Sequence, residues 1–437
     1  MSAATACSRR SGFGGRVGVN IKPKLYRDPV HDIIALHKDD PVDRVLLQLI
    51  ETPEMQRLRR IRQLGFSNLV YHGAEHSRFV HCMGVAYLAR RIYDHVWPDG
   101  DPMERLSVIA AALCHDLGHG PFSHVMERIS MVHHEKVTIG MITSPDSRVF
   151  QVLNSVDSSL PQRVAAFYDS SGERSPVHQI VSSQLDADRF DYILRDGLCT
   201  GVKIGVYDLE RIITMLQLRD GALCVNFRAT EAVEGYLLAR FHMYKQVYLH
   251  KTSRAAERML EAIVQRARHL RTDNYSFEWF PSGALARLID GRLLGPLDIA
   301  ELDDVDVQFT LKAWTREKDD ILRELTLGLV NRALFKTIPI SFDEEGDAML
   351  EKARQKAQEI GLNPDYYVLV DSSKDTPYKP YVPGRGRPDE SIRIALADGG
   401  VANIEDVSEI IGLLGHLQYQ VRRLVVPSIL QQALLSE

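Results

Sequence analysis

Residues 106–120 constrain this chain more than any other stretch. Leu106, Val108, Ile109, Ala110, Ala111, Ala112 and Leu113 make a nearly wholly apolar run, read as a helix over Arg105–Cys114 buried on most sides. It leads straight into His115-Asp116-Leu117-Gly118-His119-Gly120. An imidazole and a carboxylate thus arrive at the C-terminal end of a buried helix, where two glycines break it. Burying both groups is unfavourable unless a cation or hydrogen-bond donors satisfy them. A divalent cation does so through a ring nitrogen and a carboxylate oxygen. The alternative is a His-Asp pair that only hydrogen-bonds. The surroundings favour the cation, because five of the 16 histidines fall in one segment: His115, His119, His124, His133 and His134.

Two ligands hold a metal weakly, so others must come from elsewhere. Ser77 can cap a helix whose apolar residues Phe79, Val80, Met83, Leu88 and Ile92 recur near the helical period. His76 and His81 belong to that stretch. Arg78 lies three residues before His81, on the same helical face. A second source is Leu185–Tyr192, where Asp186, Asp188 and Asp191 are punctuated by apolar residues. One of these carboxylates must face inward, and spacing alone leaves open which.

From Pro41 to about Val264 the pattern is largely helical. Thr52-Pro53-Glu54 reads as a cap followed by proline at the first helical position. Asp186–Leu194 is expected to be helical, and Glu231–Val264 a long helical stretch. The tail differs. Tyr366–Val370 and Ile392–Leu396 read as strands, with a loop over Asp371–Glu390 between them and helices over Asp347–Ile360 and Ile404–Leu414 beside them. The expected fold is mainly α: a disordered tail over 1–20, a helical catalytic body over 21–335, and a small α+β subdomain over 336–437.

Bulk properties remove several classes of function. A net charge of −5 and a pI near 6.4 give no general basic surface for nucleic acid. The four arginines between Arg57 and Arg62 are read as a solvated helix face. Five cysteines without a C-x-x-C pair predict no disulfide framework and a reducing, cytoplasmic setting. No apolar run is long enough to span a membrane, and the N-terminus lacks the apolar segment of a secretory signal.

His81, the pair His115-Asp116, and Asp188 resemble the H…HD…D signature of the HD-domain phosphohydrolases. Longer stretches narrow the resemblance: Asp28-Pro-Val-His31, Gln56 to Gly65, His76 to Gly84, Cys114 to His124, Asp186 to Asp196, and Tyr248 to Lys251. They are similar to the deoxynucleoside triphosphate triphosphohydrolases of that superfamily, and they span roughly residues 24 to 255. The resemblance implies an HD-domain helical body and release of inorganic triphosphate from a deoxynucleoside. It implies one divalent metal (iron, manganese, zinc or magnesium) on His81, His115, Asp116 and Asp188, with further magnesium accompanying the triphosphate. His124 is implied as general acid, supported by Glu127 and His134, and His119 as a phosphate contact. Arg78, Arg189 and Arg240 match triphosphate contacts, Arg189 standing where the family usually has lysine. Gln63 and Asp196 match the grip on the 3′-hydroxyl, while Leu64, Tyr192 and Tyr248 match the wall against the sugar. That wall leaves a ribose 2′-hydroxyl without a partner. Lys24, Glu51, Arg59 and Lys251 match positions that hold an effector nucleotide between subunits, Glu51 replacing an aspartate. A homo-oligomer is implied with them. Two other readings share the scaffold: another nucleotide hydrolase (a 5′-nucleotidase or a phosphodiesterase), and a non-catalytic nucleotide or nucleic-acid binder. The intact His-Asp set weighs against the last.

Overall fold

The computed structural model describes residues 22–169, 175–375, 391–415 and 419–436. The expected tail over 1–20 and residues 376–390 of the expected loop lie outside the described residues, as does the side chain of His124.

The fold is mainly helical, as expected, with strands in the minority. An antiparallel hairpin comes first, β1 (Lys24–Asp28) and β2 (Asp32–Leu36), in register from Lys24↔Leu36 to Asp28↔Asp32. Helix α1 (Pro41–Ile50) follows, its first turn fixed by Asp40, whose side chain accepts the Val42 amide. Thr52 caps the short helix Pro53–Arg57 by accepting from the Met55 amide, as the Thr-Pro-Glu signal predicts.

The site rests on a pair of packed helices, α2 (Arg78–Val96) and α3 (Pro102–Cys114). Helix α3 is buried all round, as expected: no residue from Val108 to Cys114 is more than 1% exposed. Ser77 does precede α2, but through its extended backbone alone. Its hydroxyl makes no cap bond, and the Arg78 amide goes instead to the Ile61 carbonyl, 2.9 Å away. The two glycines do not end α3, which stops at Cys114. Gly118 serves close approach: a Cβ there would lie 2.0 Å from the His134 carbonyl oxygen.

Five further helices surround this pair: α4 (His124–Ser130), α5 (His134–Thr143), α6 (Ala187–Thr200), α7 (Thr230–Met243) and α8 (Lys251–Thr272). The single long helix expected over Glu231–Val264 is broken. Tyr244–Tyr248 widen into a π turn, and His250 then restarts the chain by capping α8. The break places Tyr244 and Tyr248 on the cavity wall described below.

A hairpin interrupts the helical region, β3 (Leu216–Arg219) with β4 (Ala222–Asn226). Its turn is Asp220-Gly221, both at positive φ, a hairpin signal that the helical reading passed over. The later strands are β5 (Lys336–Pro339), β6 (Leu369–Asp375), β7 (Arg393–Ala395), β8 (Val401–Asn403) and β9 (Tyr419–Val426). The two strands read in the tail belong to different sheets. β7 lies parallel to β4 in a sheet ordered β3-β4-β7-β8, while β6 lies in a sheet ordered β5-β9-β6. Pro364–Tyr367 is helical, capped by Asn363, so the strand starts at Leu369 and runs into the segment read as loop. The helix read over Ile404–Leu414 is two, Ile404–Val407 and Glu409–Gly415. Ile392, Ile394, Ile404 and Ile411 join the main core, whereas Ile338, Leu424, Val426 and Leu430 form a smaller one. Cys82, Cys114, Cys199 and Cys224 are free thiols. No described helix is long and apolar enough to cross a membrane.

Candidate active site

A cavity of about 700 Å³ opens between α4, α6, α8 and β6, with His115, Asp116 and Asp188 on its wall and His81 just behind. His81, His115 and Asp188 bring ligand atoms within 4.8 Å of one another, and Asp116 approaches the two histidines. His81 Nε2 lies 3.1 Å from His115 Nε2, 3.0 Å from Asp188 Oδ1 and 3.8 Å from Asp116 Oδ2. His115 Nε2 lies 3.3 Å from Asp116 Oδ1 and 3.5 Å from Asp188 Oδ1. The other ring nitrogens face acceptors, His81 Nδ1 the Asp191 carboxylate at 2.8 Å and His115 Nδ1 the Ala112 carbonyl at 2.9 Å. In the neutral rings those acceptors draw the N–H to Nδ1, which leaves two nitrogen lone pairs turned toward two carboxylates. Such a cage of donors fits a divalent cation, and separations near 3 Å suit ligands bonded to one ion at ~2.1 Å. The histidines and carboxylates suit iron, manganese, zinc or magnesium, while the nearby Cys82 thiol, within 4.8 Å of His115 and Asp116, is pushed up in pKa by burial and stays protonated.

Of the three aspartates left open by spacing, Asp188 alone reaches this cage. Asp186 caps α6, accepting the Arg189 amide at 2.8 Å, and Asp191 turns behind His81. Burial opposes a charge on Asp188, yet the His115 and His81 rings hold its carboxyl well below the usual carboxylate range. His76 is not on α2 and does not reach the cage. Its Nε2 lies 2.7 Å from Asp196 Oδ1, at the other end of the cavity.

Beside the cage, Arg78 is buried, its Nη1 2.5 Å from Asp116 Oδ2, with Nε and Nη2 donating to Ser123 Oγ at 2.9 and 2.7 Å. Ser123 and the preceding Phe122 both hold positive φ, 51° and 53°, an uncomfortable pair for residues with side chains. They aim the serine hydroxyl at Arg78 immediately before α4 begins. Glu127 on α4 pairs with His134 Nδ1, and the His134 ring stacks on His119 with centroids 3.9 Å apart. His119 Nε2 lies 3.3 Å from Asp116 Oδ1. Burial, the Arg78 charge and His134 together push the His119 pKa well down, so its ring stays neutral.

At the opposite side, Arg189 and Arg240 both donate to Gln184 Oε1, at 3.0 and 2.8 Å. Arg189 and Tyr192 line the cavity, while Arg240 stands buried behind Gln184. Asp196 Oδ2 accepts from the Tyr248 hydroxyl at 2.9 Å, and Tyr192 packs edge-on to Tyr248. Gln63 and Leu64 line the same end, and Gln63 Oε1 is buried with no hydrogen-bond partner among the described residues. The four expected effector positions are off this cavity. Lys24 pairs with Glu51 at 2.9 Å on the surface; Arg59 lies 3.5 Å over the Phe79 ring; Lys251 is exposed at the start of α8.

The cavity mouth carries a closed ring of ion pairs. Arg128 on α4 meets Glu257 (2.8 Å) and Glu261 (2.5 Å) on α8; Arg254 joins Glu257 (2.6 Å) to Asp371 on β6 (2.7 Å); Arg258 faces Asp371 (3.6 Å) and Glu261 (2.8 Å).

Sequence reasoning missed several supports. Arg57, read as part of a solvated face, is only 2% exposed and donates to the carbonyls of Leu117 (2.5 Å) and His119 (2.9 Å), pinning the His-Asp turn. Gln184 carried no signal. The Asp191 partners His31 and Arg195, and Asp28 on the far side of Arg195, lay in stretches singled out for resemblance, without a role.

A helical body in which His81, His115 and Asp188 could hold one ion, with Asp116 beside the two histidines, is the architecture of an HD hydrolase. Comparison with known proteins agrees. The HD domain family matches residues 78–196, and the HD associated region matches 207–278. The chain is 39% identical over 391 residues to the uncharacterized protein YwfO of Bacillus subtilis, covering 89% of this chain and 88% of that one. A crystal structure of a phosphohydrolase from Bacteroides thetaiotaomicron is 33% identical with a TM-score of 0.78, covering 93% of this chain and all of that one. The deoxynucleoside triphosphate triphosphohydrolase SAMHD1 of Xenopus laevis is 29% identical over 307 residues, 59% of this chain and 48% of that protein. The chain belongs to the HD-domain phosphohydrolase superfamily.

Proposed function

We propose that this protein hydrolyses deoxynucleoside triphosphates to deoxynucleoside and inorganic triphosphate. One observation carries the reading: a single cavity holds the cation cage, buried arginine, and a sugar-sized polar end built from Gln63, Asp196 and Tyr248. His81, His115, Asp116 and Asp188 would hold the cation, which supplies Lewis acidity toward water and a phosphoryl oxygen. Arg78, fixed by Ser123 and Asp116, presents a positive charge where phosphate must lie; Arg189 offers a second, with Arg240 reinforcing it through Gln184. His119 stays neutral and donates or accepts a hydrogen bond without adding charge. In this reading His124, at the first turn of α4, protonates the leaving 5′-oxygen, and the adjacent Glu127–His134 pair steadies that helix start. Asp196 accepts from the 3′-hydroxyl, Gln63 donates or accepts beside it, and Leu64, Tyr192 and Tyr248 close on the 2′ carbon, where a ribose hydroxyl finds no partner. Effector nucleotide at Lys24, Glu51, Arg59 and Lys251, between copies of a homo-oligomer, belongs to the same reading. SAMHD1, a triphosphohydrolase by name, supports it.

The test is incubation with each of the four deoxynucleoside triphosphates and with GTP, singly and in pairs, with Mn²⁺ or Mg²⁺. Deoxynucleoside plus inorganic triphosphate is expected, and Asp188→Ala or His115→Ala should abolish turnover. Release of orthophosphate or pyrophosphate, or turnover of monophosphates alone, overturns the proposal.

A further inference from the structure

An exposed hairpin reaches the cation cage through an unbroken line of buried hydrogen bonds. The turn between β1 and β2 is fixed by Asp28, whose Oδ1 accepts the amides of Val30 (2.8 Å) and His31 (3.0 Å). Asp28 Oδ2 lies 2.9 Å from Arg195 Nη1. Arg195 donates to both oxygens of Asp191, at 2.7 and 2.9 Å. His31 Nε2 lies 2.7 Å from Asp191 Oδ1, and Asp191 Oδ2 takes His81 Nδ1 at 2.8 Å. These five side chains are at most 4% exposed. There is no slack beside them, since a Cβ on Gly84 would meet Asp191 Oδ1 at 1.9 Å and Arg195 Nη2 at 2.5 Å.

We propose that His31 is a positioning residue for the metal: from the hairpin turn it holds Asp191 in the one orientation that fixes the His81 ring, so hairpin placement sets cation affinity. The proposal rests on His81 being a ligand. A carboxylate hydrogen-bonded to the far nitrogen of a ligand histidine fixes its tautomer and raises its basicity, and removing such a partner typically weakens metal binding about 10–100-fold. Without His31, Asp191 Oδ1 loses one of its donors, and the carboxylate is oriented from the Arg195 side alone. The opposite side of the hairpin is exposed, with Leu25 58% and Ile33 43% accessible.

The experiment is Co²⁺ binding to the full chain, by chelator competition for affinity and by visible absorption for ligand geometry. His31→Phe keeps ring volume against Tyr87, 5.1 Å away, and removes the hydrogen bond. It should weaken Co²⁺ binding about 10–100-fold and shift the absorption band. His31→Gln, which restores an N–H donor, should recover most of both. Leu25→Ser, on the same hairpin but facing solvent, should match wild type. Wild-type affinity and spectrum in His31→Phe overturn the proposal, as does a Gln variant no better than Phe in a folded protein. If Asp188→Ala binds Co²⁺ as wild type does, the metal-centre reading itself fails and takes this inference with it, a result distinct from a silent His31→Phe.

Discussion

Two charged networks flank the cavity, built from nearly the same residue types, and they do different work. The one behind the cage (Asp28, Arg195, Asp191, His31) is shut off from water, with Arg195 and Asp191 both 0% exposed. The ring at the mouth (Arg128, Glu257, Arg254, Asp371, Arg258, Glu261) keeps 11–31% exposure on its arginines. In the first, each charge is desolvated and its partners are its only compensation, so geometry is held tightly. In the second, water and redundant partners stand ready to replace any lost contact. Burial, rather than the number of ion pairs, decides which network can position a ligand. The ring ties α4, α8 and β6 together instead.

The comparison predicts unequal losses. Asp191→Ala leaves buried Arg195 with Asp28 as its remaining carboxylate and strips His31 and His81 of their acceptor, and should cost about 3–5 kcal/mol in denaturant unfolding, whereas Glu261→Ala should cost about 1 kcal/mol or less. Equal losses would break the contrast. His76 with Asp196 is an intermediate case. Burial opposes the charge on the His76 ring, but the Asp196 hydrogen bond and charge, aided by Cys199, push its pKa up to about 9. A raised folded pKa means the contribution is complete below the unfolded value of about 6.5 and lost as pH rises through about 9. The stability difference between wild type and His76→Asn should therefore shrink by about 3 kcal/mol over that window. A difference flat with pH would show the ring is not held charged. The smallest effect is salt. Raising it from 0.1 to 1 M shortens the screening length from about 10 to 3 Å and should erase the penalty of Glu261→Ala while leaving that of Asp191→Ala in place.

Half of the cage was legible because His115-Asp116 announces itself locally. A buried helix ending in His115-Asp116 needs compensation wherever the rest of the chain goes. Spacing left Asp188 one of three, since helix rotation decides which carboxylate turns inward, and only the family resemblance named it. What stands behind the cage was not legible, because His31 and Asp191 are 160 positions apart and meet only when the β1–β2 turn packs against α6. Arg57 misled for a related reason: arginine is usually solvated, and only the folded turn supplies the carbonyls that draw it in. In the tail, apolar patterning found β7 but not its neighbour. Val225↔Ile394 is a parallel pairing across much of the chain, and local sequence carries no mark of it.

The turn at Phe122-Ser123 has a consequence for how this chain can vary. A glycine would sit there without strain, relieving roughly 1–3 kcal/mol of backbone discomfort at each position. A glycine at residue 123 would therefore ease the local backbone. It would also delete the hydroxyl that anchors Arg78 and let that guanidinium settle wholly onto Asp116. A more comfortable fold and a well-aimed arginine are alternatives at this address, and the serine marks which of the two has been kept.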